Sequence, residues 1–128
     1  MLQILVAEDN LVNQRLMARL LENSGHRVVV AATGWGALAA LEKNTFHVIL
    51  MDVQMPEMDG FEATAAIRRK EKSTGGRQII VALTAHAMKG DNEKCLASGM
   101  DGYLSKPIRV QELDEVLARY GTQPQATA

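Results

Sequence analysis

The sequence predicts an α/β fold built on a parallel sheet, and three features carry that prediction. Short apolar runs alternate five times with segments of helical period. The runs are nearly continuous in Ile, Leu and Val rather than alternating with polar residues, as in strands covered on both faces. Turn and cap residues, among them Asn10, Gly25, Thr33, Gly60 and Thr74-Gly75-Gly76, punctuate the segments. Right-handed crossovers then place helices on both sides of the sheet, giving a doubly wound arrangement.

The elements follow in order. Gln3–Ala7 is an apolar run long enough for a buried strand. Asn10 caps the first helix, in which Leu16, Met17, Leu20 and Leu21 recur at helical spacing, and Gly25 is placed to end it. Residues 27–32 are β-branched and strand-like. Thr33 caps a second helix carrying Leu38 and Leu41. Residues 48–50 form a third strand that ends at Asp52. Gly60 opens a third helix with Phe61, Thr64, Ala65 and Ile67 on its inner face. Residues 79–83 form a fourth strand ending at Thr84, and residues 89–98 a weaker fourth helix closed by Gly99. Gly102–Ser105 is a short fifth strand. Residues 110–120 form a fifth helix with Leu113, Val116, Leu117 and Tyr120 at helical spacing. Residues 121–128 have no apolar period and read as a disordered tail or linker remnant, leaving residues 1–120 as one domain.

Composition narrows the function classes. The 128 residues suit a single domain, and 47% hydrophobic with 23% charged residues is ordinary for a globular chain. With 14 basic and 15 acidic residues the net charge is −1, which argues against bulk binding of nucleic acid. Aromatic residues are only 4%, too few for a base-stacking platform. The single cysteine, Cys95, excludes an internal disulfide, and no Cys/His set has zinc spacing. The apolar runs fall far short of the roughly 20 residues that span a bilayer, and the N-terminus is no signal peptide. A reducing, cytoplasmic setting is expected for the domain, with no membrane contact of its own, though a parent protein can be membrane-anchored.

The polar residues collect at the carboxyl ends of the strands. Glu8 and Asp9 follow the first, Asp52 ends the third, Thr84 ends the fourth and Lys106 follows the fifth. An acid after a strand is by itself only a turn former or cap. Together on one sheet edge, these groups lie where open parallel sheets bind ligands. Three carboxylates held together repel one another until protonation or a cation relieves them. A hard cation with oxygen ligands, Mg²⁺ above all, is the natural partner of such a set. Lys106 and Thr84 are then suited to the remaining oxygens of a phosphoryl group, and Asp52 to nucleophilic attack.

Glu8-Asp9, Met51-Asp52-Val53-Gln54-Met55-Pro56, Met58-Asp59-Gly60, Leu83-Thr84-Ala85 and Lys106-Pro107 resemble the receiver domain of two-component response regulators, over about residues 3–120. The resemblance implies a flavodoxin-like sheet of order 2-1-3-4-5 with five helices. It implies that Asp52 is the phospho-acceptor and that Asp9, Glu8, Asp52 and the main-chain carbonyl of Gln54 hold Mg²⁺ or Mn²⁺. Thr84 and Lys106 match the pair that contacts the phosphoryl group, and Tyr103 matches the aromatic switch position. The Lys106–Pro107 bond resembles the family's cis peptide. The implied partner is a histidine kinase or histidine phosphotransfer domain, docking near the first helix and the acceptor loop. The implied output is a reshaped face of the fourth helix, fifth strand and fifth helix. An isolated domain of this kind is expected to be a monomer. It catalyses its own phosphorylation and slow dephosphorylation but is no turnover enzyme.

Glu8-Asp9-Asn10, Asn13-Gln14 and Thr84-Ala85-His86-Ala87-Met88 resemble receivers attached to hybrid histidine kinases; a free-standing single-domain regulator is the alternative. The second helix departs from the family's usual opening, reading Thr33-Gly34-Trp35-Gly36-Ala37. Gly36 there weakens the helix by roughly 1 kcal/mol relative to Ala. The departure also creates a weak dinucleotide-binding pattern, Gly34-x-Gly36-x-x-Ala39, with Asp52 at the end of the next strand. That reading leaves Glu8, Asp9, Thr84 and Lys106 unexplained. An acylphosphate hydrolase is disfavoured because Gln54 stands where such enzymes carry a second Asp. Of the remaining residues, Trp35 is either an exposed partner contact or a residue partly packed at a helix start; the Met residues are mostly core filler, though Met55 and Met58 flank the acceptor loop where a partner would sit. His86 borders the site and is suited to tuning water access. Arg68, Arg69, Lys70 and Lys72 read as a solvated helix end, Cys95 as a packed residue, and His26 and His47 as loop residues without function.

Overall fold

A computed structural model describes residues 2–55, 57–84, 93–94, 96–106 and 108–121. The elements run β1 (Gln3–Ala7), α1 (Leu11–Asn23), β2 (Arg27–Ala31), α2 (Gly34–Lys43), β3 (Val48–Asp52), α3 (Gly60–Thr74), β4 (Ile80–Thr84), β5 (Gly102–Ser105) and a final helix, α4 (Val110–Gly121). The helix expected over residues 89–98 falls largely outside the described residues, although residues 93–94 and 96–97 are helical. His86, Cys95, the Lys106–Pro107 bond and residues 122–128 likewise lie outside them.

The five strands form one parallel sheet in the order β2-β1-β3-β4-β5, as expected. Alternate side chains of each strand leave on opposite faces. Ile4, Val6, Val48, Leu50, Val81 and Leu83 pack with Met17 and Leu21 of α1 and with Leu113 and Leu117 of α4. Leu5, Ala7, Ile49, Met51, Ile80 and Ala82 pack on the other side with Ala37 of α2 and with Ala63 and Ile67 of α3. Each fully buried Leu or Ile contributes roughly 1.5–3 kcal/mol. This double cover is why β1, β3 and β4 are written as unbroken apolar runs.

Local signals set the helix starts. Asn10 Oδ1 accepts the Asn13 N–H at 3.1 Å and Thr33 Oγ1 accepts the Gly36 N–H at 3.0 Å. Asp59 and Glu62 form a reciprocal capping box at α3. Gly25 follows the C-cap Ser24 of α1, as the sequence suggested.

Three expectations are corrected. β2 is an edge strand, so its apolar sequence does not mean burial on both faces, and Val29 and Val30 are exposed. In α3 the buried positions are Gly60, Ala63, Thr64 and Ile67; Ala65 lies one 100° step beyond Thr64 and faces out. Leu16 of α1 is also exposed, since the inner face of that helix is already filled by Met17 and Leu21. His26 and His47 do have a structural use. Their Nδ1 atoms accept the N–H groups of Leu2 and Gln3 at 3.1 and 2.9 Å and tie down the start of β1.

Candidate functional site

The chain leaves β1 for β2 on one side and returns to β3 on the other, so the sheet reverses its winding between β1 and β3. A ligand crevice forms at the carboxyl ends of strands at such a point. Glu8 follows β1 there and Asp52 ends β3. Both are buried, at 1% and 3% exposure, whereas Asp9 is exposed. One carboxylate oxygen from each of the three lies within 4.8 Å of the others.

Lys106, just after β5, spans two of them. Its Nζ donates to Asp52 Oδ2 at 2.8 Å and to Glu8 Oε2 at 3.1 Å. Burial works against the ammonium charge, but hydrogen bonding and charge attraction from Asp52, then Glu8, outweigh it and hold the pKa above the usual lysine value. The other oxygens are also held: Asp52 Oδ1 accepts the Gln54 N–H at 2.9 Å and Glu8 Oε1 the Asn10 N–H at 3.1 Å. Asp9 has no such partner among the described residues. One ammonium against three carboxylates leaves an excess of negative charge in an all-oxygen set, and that fits a hard divalent cation.

The crevice has a volume of about 670 Å³ and is lined by Glu8, Asp9, Asn10, Asn13, Asp52, Val53, Gln54, Met55, Asp59 and Lys106. Thr84 is buried at the end of β4 and does not line it; its carbonyl accepts the Lys106 N–H at 2.7 Å. Tyr103 on β5 is 40% exposed.

The loop after Asp52 folds back tightly. A Cβ on Gly60 would stand 2.4 Å from the Asp52 carbonyl oxygen, so only glycine lets α3 begin against the end of β3. Gly34 has the same kind of reason to be glycine, because its Cβ would stand 2.9 Å from the Met58 carbonyl oxygen. Met55 and Met58 are buried rather than presented to a partner, a further correction of the sequence reading. The basic run is corrected in part as well. Arg68 is 14% exposed and bonds Glu71, Asp101 and the carbonyls of Gln78 and Gly99. Trp35 is exposed rather than packed at the start of α2.

Asn13 in the crevice wall, and Gln14, whose amide holds the Glu8 carbonyl, were not assigned site roles from sequence. The Asn10 cap was the available signal, since it fixes which residues of α1 turn back toward β1.

A family model of the response regulator receiver domain matches residues 4–118, and the chain belongs to that family. Among curated relatives, hybrid signal transduction histidine kinase I of Dictyostelium discoideum is 47% identical over 120 residues, covering 90% of this chain and 7% of its own. Sensor histidine kinase GacS of Pseudomonas protegens is 43% identical over 119 residues, covering 92% of this chain and 13% of its own. The chain thus spans a small part of these relatives' length.

Two solved structures extend the likeness. One is the receiver domain of sensor histidine kinase PA1611 from Pseudomonas aeruginosa, with a magnesium ion coordinated in its active-site cleft. It has 41% identity and a TM-score of 0.85 over 95% of this chain and 98% of that one. The other is the receiver domain of the Saccharomyces cerevisiae response regulator Ssk1, crystallised with the histidine phosphotransfer protein Ypd1. It has 33% identity and a TM-score of 0.89, covering 93% of this chain and 88% of that one. Family membership displaces the dinucleotide-binding reading, and the contact with Met58 accounts for Gly34 in its place. Among the described residues, no helix is long and apolar enough to cross a membrane.

Proposed function

We propose that Asp52 accepts a phosphoryl group from a phosphohistidine on a histidine kinase or histidine phosphotransfer domain. The observation that carries this is the meeting of Asp52 with Glu8 and Asp9 within 4.8 Å, with Lys106 2.8 Å from its carboxylate. An Asp52 oxygen attacks phosphorus, the new O–P bond forms, and the P–N bond to the imidazole breaks with its electron pair going to nitrogen. Asp52 thereby loses its negative charge and gains a dianionic neighbour. Lys106 follows the charge to the phosphoryl oxygens while Glu8 keeps it tethered. Glu8, Asp9, Asp52 and the Gln54 main-chain carbonyl would hold Mg²⁺, or Mn²⁺ in its place, which when bound supplies a hard positive charge for the phosphoryl oxygens.

Thr84 and Tyr103 form the proposed switch. The Thr84 hydroxyl turns to the phosphoryl group, and Tyr103 leaves its exposed position to fill the space this opens. The result is a population shift on the face made by β5 and the helices beside it. Docking uses the exposed Leu11, Val12 and Leu16 of α1, which border the crevice residues Asn10 and Asn13. The Ypd1–Ssk1 complex supports a partner of this class. A hybrid histidine kinase is the proposed parent, since the kinases it matches are far longer than this chain. The proposed site of action is cytoplasmic.

Labelled acetyl phosphate tests the acceptor. The wild-type chain is expected to take up label in Mg²⁺ and to lose that ability in EDTA, and Asp52→Asn should take up none. Label of wild-type extent on Asp52→Asn would place the acceptor elsewhere.

A further inference from the structure

The carbonyl that follows β1 is held by a side chain the proposed chemistry does not use. Gln14 Nε2, from the first turns of α1, donates to the main-chain oxygen of Glu8 at 2.7 Å. Its side chain is half-buried and reaches back across the Asn10 cap. The other polar groups of Glu8 are also occupied: its N–H by Ala31 O at 2.9 Å, Oε1 by the Asn10 N–H and Oε2 by Lys106. Glu8 is therefore fixed at every polar atom, and the peptide plane joining it to Asp9 is fixed from that side. Asp9 differs. Its carboxylate is exposed and has no partner among the described residues, so the backbone alone aims it at the cluster. Repulsion from the buried Glu8 and Asp52 pushes this exposed carboxylate toward water.

We propose that Gln14 is a positioning residue for cation binding: its grip on the Glu8 carbonyl keeps the Glu8–Asp9 peptide from rotating and Asp9 from turning away. The inference rests on the cation site proposed above. Groups that orient metal ligands without touching the metal typically carry a 10–100-fold effect on affinity. The three-bond frame of Gln14, Asn10 and Lys106 around Glu8 is of that kind.

The test follows Mn²⁺ alone, by loss of its free electron-paramagnetic-resonance signal, on the full chain with no phosphodonor present. Gln14→Met keeps the length and apolar stem but not the donor, and should weaken Mn²⁺ binding roughly tenfold. Gln14→Glu also lacks the donor yet adds a negative charge near the cluster. Charge alone would tighten binding, so affinity at or below wild type is the expected result. An unchanged affinity in Gln14→Met, or a tighter one in Gln14→Glu, overturns the proposal. Should Gln14→Met not fold, Gln14→Glu decides by itself. A wild-type chain that takes up no more Mn²⁺ than Asp9→Asn would refute the cation site, and this role of Gln14 with it.

Discussion

Lys106 Nζ sits 2.8 Å from Asp52 Oδ2, closer than its 3.1 Å contact with Glu8. The ammonium thus stands against the proposed acceptor before any phosphoryl group arrives. It neutralises part of a carboxylate cluster that would otherwise oppose folding, and it is already where new negative charge would develop.

Lys106→Met is expected to lower stability at neutral pH by on the order of 1–2 kcal/mol, because Glu8 and Asp52 are left facing each other, though across a partly wetted crevice. The pH dependence has a definite sign. The folded-state pKa of Lys106 is raised above its ordinary value of 10.5. Its stabilising contribution is therefore complete below that value and fades as pH rises through the folded-state pKa. Urea unfolding of both chains should show a constant difference from pH 7 to about 10 that shrinks at higher pH. A gap that widened in alkali would contradict this.

Gly60→Ala tests the tight return of the chain after the acceptor. The added methyl meets the Asp52 carbonyl oxygen at 2.4 Å, and backbone, unlike a flexible side-chain end, cannot yield cheaply. A loss of about 1–3 kcal/mol is expected from overpacking. Because the clash is with Asp52 itself, the rate of labelling by acetyl phosphate should fall in chains that remain folded. Wild-type stability together with wild-type labelling would mean that the loop has another way to close.

Arg68→Ala should cost about 2–3 kcal/mol, at or below the low end for removing one partner of a buried ion pair, since these side chains are only partly buried. The low end applies because Asp101 keeps Arg77 at 2.6 Å and Glu71 keeps the Gln78 N–H at 2.6 Å. Arg68→Lys should recover only part of the loss, since one ammonium cannot serve Glu71, Asp101 and the Gly99 and Gln78 carbonyls at once. Chemical denaturation of the three chains measures it. Full recovery by Lys would show that charge alone, and not the planar fork, fastens α3 to the segment before β5.

Much of this molecule is legible in its sequence, for identifiable reasons. β1, β3 and β4 read as strands because burial on both faces demands unbroken apolar runs. Asn10 and Thr33 read as helix starts because each cap bonds an N–H three residues away, whereas the Asp59 cap of α3 emerged only in the structure. Glu8, Asp9, Asp52, Thr84 and Lys106 stand out because each breaks from an apolar run where a strand ends. Arg68 and Gln14 were not legible in this way. Arg68 looks like its solvated neighbours Arg69 and Lys70, and its bonds to Gly99 and Asp101 bridge 31 and 33 residues. The edge position of β2 followed from the family resemblance and not from composition, since Val28, Val29 and Val30 are as apolar as any inner strand.

The sequence by itself determined the alternation of elements, their caps, and which polar residues stand at strand ends. These depend on interactions between residues a few positions apart. The tertiary structure alone decided that one ammonium would serve both Asp52 and Glu8, from positions 54 and 98 residues away. It also decided which side of α3 is covered and that Met55 and Met58 turn inward. Charge interaction and packing depend on distance in space. That distance is set only when β1 lies beside β3 and β5 closes beside β4.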